Sequence, residues 1–259
     1  MKVGMVSITF RELNHEEILE VVSECGLQGI EWGGDVHVPH GDTVLARKVA
    51  SLTAQAGLEV ASYGSYYRFE ECDIDSKMGG PSMQSVLETA EAMGAPAIRV
   101  WVGQRGPNET SEEARKLIVQ RAHEFAEGCA QRGMRLDFEY HSHTLTETPE
   151  STCRLLEEIN HPAAFTLWQP PLMTDPLIRL EGLRMVKPLV SNLHCNYFDQ
   201  DPWPKMHPLE EGTDEWASYL AEFPSDPTDR WILMEHVKDH SVEQFKRDAQ
   251  TLLSWMGRD

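Results

Sequence analysis

Short apolar runs and amphipathic stretches alternate along this chain without a break. Runs with the period of two that a pleated strand imposes lie near 3–8, 28–32, 58–63, 96–102, 134–140, 164–168, 189–196 and 231–236. In one of them Leu136, Phe138 and Tyr140 alternate with Asp137 and Glu139. Helical patterns with start signals fill the gaps. Asn14 with Glu17, Thr110 with Glu113 and Ser241 with Gln244 read as capping boxes, and Thr148-Pro149 as an N-cap followed by proline at the first helical position. Gly26, Gly57, Gly94 and Gly133 each sit between a helical pattern and an apolar residue, where a left-handed residue ends a helix and turns the chain into a strand. Eight such units in 259 residues predict an α/β fold, a (β/α)8 barrel forming a single domain over 1–259. A doubly wound open sheet is the runner-up, but no Gly-x-Gly-x-x-Gly follows the first strand.

Charge narrows the partners. A formal net charge of −19 argues against a phosphate backbone, whose binding needs a basic surface, so no nucleic acid is expected. No window has the apolar length of a membrane span, so no membrane partner is expected either. The five cysteines (Cys25, Cys72, Cys129, Cys153, Cys195) are odd in number and form no Cys-x-x-Cys, which predicts a reducing, cytoplasmic setting without disulfides or thiolate zinc.

In a (β/α)8 barrel chemistry gathers where strands end at their C-terminal edge. Here those ends offer Glu31 and Trp32, then Tyr63, Tyr66 and Arg68, then Trp101 and Arg105, then Glu139, His141 and His143, then Trp168 and Gln169, then His194, and finally Glu235 and His236. Glu139, His194 and Glu235 stand out, because two carboxylates and one imidazole suit a hard to borderline divalent cation such as Mn2+, Mg2+, Co2+ or Zn2+. Trp32, Tyr63, Tyr66, Trp101 and Trp168 are candidates to pack on sugar C–H faces, and Arg68 and Arg105 to meet an anionic group. Arg99, inside its strand, reads instead as a barrel ion pair. The segment 33–42, with two glycines ahead of His37 and His40, reads as a lid or substrate loop that brings His37 to the site.

Gly29-Ile30-Glu31-Trp32, the Glu139-Tyr140-His141 strand end, the Leu155-Leu156-Glu157-Glu158-Ile159 helix, Asn192-Leu193-His194 and Leu233-Met234-Glu235 together resemble the xylose isomerase-like TIM barrels of the sugar phosphate isomerase/epimerase superfamily. The resemblance implies one divalent metal ion held by Glu139, Gln169, His194 and Glu235. It departs from the family at two places. The family's Asp-x-x-His appears as Gln169-Pro170-Pro171-Leu172, and its His-x-x-Asp as His194-Cys195-Asn196-Tyr197. A glutamine carbonyl still suits a hard cation, so altered rather than absent metal binding is expected.

The implied activity is a metal-dependent isomerase or epimerase acting on a small sugar or sugar-derived keto compound, with Glu139 and Glu235 as the acid/base pair and His141 contacting substrate. Alternatives are a metal-dependent dehydratase of a cyclic polyol or dehydroshikimate-type substrate, and a non-catalytic sugar-binding barrel. The expected partner is a small sugar or sugar acid, and the resemblance further implies a homodimer or homotetramer.

Overall fold

The computed structural model describes residues 1–69, 80–199, 204–223 and 229–257. Eight strands run in sequence order around one closed barrel: β1 Lys2–Val6, β2 Gly29–Gly33, β3 Glu59–Arg68, β4 Ala97–Trp101, β5 Arg135–Glu139, β6 Ala164–Trp168, β7 Val190–Cys195 and β8 Trp231–Met234. Each neighbouring pair is parallel, and β1 closes the ring against β8 with Lys2 opposite Trp231. The helices α1 His15–Glu24, α2 Thr43–Gln55, α3 Met83–Met93, α4 Glu112–Ala130, α5 Pro149–Ile159, α6 Pro176–Val186, α7 Thr213–Leu220 and α8 Val242–Trp255 return the chain from one strand to the next. No helix among the described residues is long and apolar enough to cross a membrane. Four cysteines are free thiols, and Cys72 lies outside the described residues.

Strand alternation sorts the core into two parts. Ile30 and Trp32, Ile98 and Val100, Leu136 and Phe138, Leu193 and Cys195, and Ile232 and Met234 all belong to the main apolar cluster beneath the helices. The opposite phase points into the barrel. Val6, Ala61, Trp231 and Leu233 make a small separate plug there, while Glu31, Arg99, Asp137, Glu139, Asn192 and His194 are buried polar groups. Gly29 makes the plug possible, since an added Cβ would lie 2.6 Å from both the Trp231 ring and the Glu59 carbonyl oxygen.

Most local signals act as expected. Asn14 forms the full capping box with Glu17, Thr148 caps α5 ahead of Pro149, and Gly26, Gly57, Gly94 and Gly133 all have φ between 67° and 75°. Two expectations are corrected. The cap of α4 is Ser111, which accepts from the Ala114 N–H at 3.2 Å, because the Thr110 hydroxyl donates instead to Gly106 O at 2.9 Å. Ser241 caps α8, but Gln244 does not complete the box, since its side-chain oxygen accepts from Arg247 at 2.6 Å and the Ser241 N–H donates to Lys238 O.

Candidate active site

A cleft of about 610 Å³ opens at the C-terminal ends of the strands, a size suited to a small ligand. Its floor is the polar phase of the barrel interior. Glu139 ends β5, His194 lies in β7, and Glu235 directly follows β8. One ligand atom from each lies within 4.8 Å of the others. His194 Nδ1 is buried 3.1 Å from Glu235 Oε2, at an angle that makes no hydrogen bond. On its other side His194 Nε2 faces Glu31 Oε2 at 3.5 Å.

Arg99 ties this floor together. Its Nε donates to Glu31 at 2.7 Å and its Nη1 to Glu139 at 2.5 Å, with all three side chains almost fully buried. Glu139 also accepts from the Trp101 indole N–H and from the Gln169 amide at 2.9 Å. Burial alone would push the Glu31 carboxyl up, but the Arg99 charge, His194 and the Ser62 hydroxyl outweigh it and hold it at about 2. Burial likewise opposes charge on Glu235, yet the neighbouring His194 charge keeps its carboxyl well below the ordinary carboxylate range. Burial would lower His194, but Glu235 and Glu31 raise it to about 10.

The walls are aromatic and strained. Trp101 stacks on His141 with ring centroids 4.4 Å apart, and Tyr66 meets the Trp101 edge at 5.6 Å. Seven non-glycine residues among those described have positive φ, and four of them line the cleft: Tyr66, His143, Met173 and His236. Each such conformation costs on the order of 1–3 kcal/mol, which packing elsewhere must offset, and such strain concentrates at functional sites. A second opening, at the far end of the barrel, has its charges paired: Lys2 bridges Glu59 at 2.7 Å and Asp229 at 3.1 Å.

Of the residues expected at the site, Glu139, Gln169, Glu235, His141, Tyr66 and Trp101 line the cleft, and His194 lies beneath it. Five others do not reach it. Trp32 faces the helices and its indole N–H donates to Thr53 on α2. Trp168 packs edge-on against Tyr219 at 5.0 Å. The Tyr63 hydroxyl is buried between Val38 O and His40 Nδ1, 2.8 Å from each. His37 is buried with Nδ1 on Ser7 Oγ, and Arg105 is exposed on the loop after β4. The 33–42 segment is no lid, because Gly33 O accepts from both His37 and Val38 and the turn packs down on β3. Arg68 lies over the Trp101 ring at 4.1 Å, and Arg99 is the barrel ion pair its strand position suggested. Two contributors were given no site role from the sequence. Glu31 alternates with the apolar Ile30 and Trp32, which was the available signal, whereas Arg11 enters the cleft from the loop just after the 3-10 turn Ser7–Phe10, which carries none.

A xylose isomerase-like TIM barrel family model matches residues 19–257. The chain belongs to this family. It is 28% identical over 207 residues to a 3-dehydroshikimate dehydratase of Bacillus anthracis, covering 75% of this chain and 71% of that protein. A xylose isomerase-like TIM barrel protein from Mycobacterium smegmatis in complex with magnesium superposes with a TM-score of 0.75 at 15% identity, covering 98% of this chain and 96% of that one. A 3-keto-D-glucoside 4-epimerase from E. coli does so with a TM-score of 0.72 at 17% identity, covering 98% and 99%.

The family implies a divalent cation, and the donor set fits one. A buried imidazole nitrogen without a hydrogen bond faces two carboxylates at the floor of an open cleft. Gln169 sits beside them, with its amide nitrogen committed to Glu139 and to Tyr140 O.

Proposed function

We propose that this protein is a cation-assisted enzyme that moves a proton at the carbon beside a carbonyl, on a small sugar or sugar-derived keto compound. The observation that carries this reading is the convergence of Glu139, His194 and Glu235 beneath one small cleft. Glu139, His194 and Glu235 would hold the ion, with the Gln169 carbonyl oxygen as a fourth donor. A bound divalent cation supplies Lewis-acid polarisation of the carbonyl, which acidifies the neighbouring C–H.

The chain's own residues do the rest. Glu235 lines the cleft and, among the described residues, takes no amide or indole donor on its side chain, so it serves as the base that takes the proton. Glu139, on another strand end and fixed by Arg99 and Trp101, would relay a proton drawn from solvent to the other side, replacing the one that Glu235 takes. Trp101 and Tyr66 give flat faces for C–H surfaces, and His141 and His236 stand ready to hydrogen-bond hydroxyls. Return of the proton gives isomerisation or epimerisation.

The named dehydratase relative supports a second reading from the same first step. After proton removal, a hydroxyl on the next carbon leaves as water once a carboxylic acid or imidazolium protonates it, so no outside reactant is needed. One experiment separates the two: Mn2+-loaded protein in D2O with a panel of ketoses and with 3-dehydroshikimate, followed by NMR. Deuterium beside the carbonyl at unchanged composition supports the isomerase or epimerase, and loss of water from 3-dehydroshikimate supports the dehydratase. Neither change on any substrate, in protein shown to hold the ion, would sink both and leave a binding barrel.

A further inference from the structure

Glu31 is absent from the donor set, yet both of its oxygens are held by buried partners. One oxygen takes the Arg99 Nε–H at 2.7 Å. The other takes the Ser62 hydroxyl at 2.5 Å and faces His194 Nε2 at 3.5 Å. Gly64 reserves the room for this pairing. A Cβ there would lie 2.6 Å from Arg99 Nη2 and 2.8 Å from Glu31 Oε1, although no positive φ demands glycine at that position. Glu31 and the Arg99 guanidinium are both essentially without exposure, and Glu31 does not line the cleft.

We propose that Glu31 is a positioning residue for the cation site: when the ion is bound, it holds the one remaining N–H of His194 on Nε2 and leaves Nδ1 to the ion, and through Arg99 it fixes the orientation of Glu139. The inference rests on the proposed cation site. A carboxylate behind a ligating imidazole sets the tautomer and ring orientation and raises ligand basicity. Charge points the same way. Glu31, Glu139 and Glu235 against the Arg99 guanidinium and one dication leave no net charge around a neutral imidazole, whereas removing Glu31 leaves an uncompensated positive charge in a buried site. Arg99 thus spans from the positioning carboxylate to the ligating one, and the Ser62 hydroxyl keeps the Glu31 oxygen turned toward His194.

The test compares the wild-type chain with Glu31→Gln by calorimetric titration with Mn2+ and by the visible spectrum of bound Co2+, with circular dichroism as the control for folding. Glu31→Gln is expected to bind roughly 10- to 100-fold more weakly and to shift the Co2+ bands while keeping the wild-type fold. Ser62→Ala, which frees the Glu31 oxygen without changing charge, is expected to give a smaller loss of the same sign. If the wild type binds neither ion, the cation site itself fails. If the wild type binds and Glu31→Gln matches it in Kd and spectrum, Glu31 is merely structural and the proposal falls. Should Glu31→Gln fail to fold, Ser62→Ala decides, and an unchanged Kd there overturns it.

Discussion

Glu139 and Glu235 face the same cleft but differ in how firmly their oxygens are held. Glu139 is fixed by Arg99, Trp101 and Gln169, whereas among the described residues the Glu235 carboxylate pairs with His194 and, at 3.9 Å, His236. A carboxylate with an uncommitted oxygen is the better base. Glu235→Gln is therefore expected to slow deuterium exchange beside the substrate carbonyl by about 10²- to 10⁴-fold, with the far-ultraviolet dichroism unchanged. Exchange at the wild-type rate would remove Glu235 from that role. The same residue scale explains which site residues were legible. Glu139, His194 and Glu235 each follow or sit between apolar neighbours that pack under the helices, so strand parity alone turns them inward. Trp32 and Trp168 share the parity of Ile30 and Ala164, and that parity takes them to the helical shell. Side-chain chemistry suggested a sugar platform, but a strand has only two faces and theirs was already spent on the core.

At the scale of elements, caps and tethers decide where loops begin. Ser111 rather than Thr110 satisfies the first turn of α4, so Ser111→Ala is expected to cost about 1 kcal/mol in urea unfolding, and Thr110→Ala clearly less. An equal loss in both would restore Thr110 as cap. Asp248 on α8 tethers the loop that leads into α7 by accepting from the Leu209 N–H at 2.9 Å and the Gln244 amide at 2.8 Å. Burial, only partly offset by those hydrogen bonds, raises its carboxyl above the ordinary value. The folded state then prefers the protonated acid, so this group costs stability as pH rises from its unfolded value through its raised folded one. Asp248→Asn keeps an acceptor and removes that cost. Its melting temperature is expected to exceed the wild type's at pH 7 and to converge with it near pH 3; a constant difference across that range would show that titration is not the cause. Caps of this kind are only partly visible in sequence, because adjacent Thr110 and Ser111 are both competent and the carbonyl of Gly106 chooses between them.

On the scale of the whole molecule, the floor of the barrel sets the height of the site. Trp231 and Leu233 fill the interior beneath the polar layer, and Gly29 gives Trp231 its place. Gly29→Ala would press a methyl against a backbone carbonyl that cannot move without breaking the β2–β3 ladder. It is expected to destabilise by roughly 1–3 kcal/mol, read as a lower urea midpoint, and a neutral result would mean that the plug can repack. The sequence by itself determined the eight-fold alternation, the strand count, the left-handed glycine returns and the polar strand ends, because each depends on spacing or on the conformational freedom of one residue. Only the tertiary structure decided that Glu31 and Arg99 lie directly beneath His194 and Glu139, that the 33–42 turn packs down rather than closing over the cleft, and that Arg11 reaches in from a neighbouring loop. The physical reason is barrel closure. β2 and β7, five strands apart in the chain, bring Glu31 and His194 together across the interior, and which side chains meet there depends on the shear and twist of the closed sheet, to which no local pattern is sensitive.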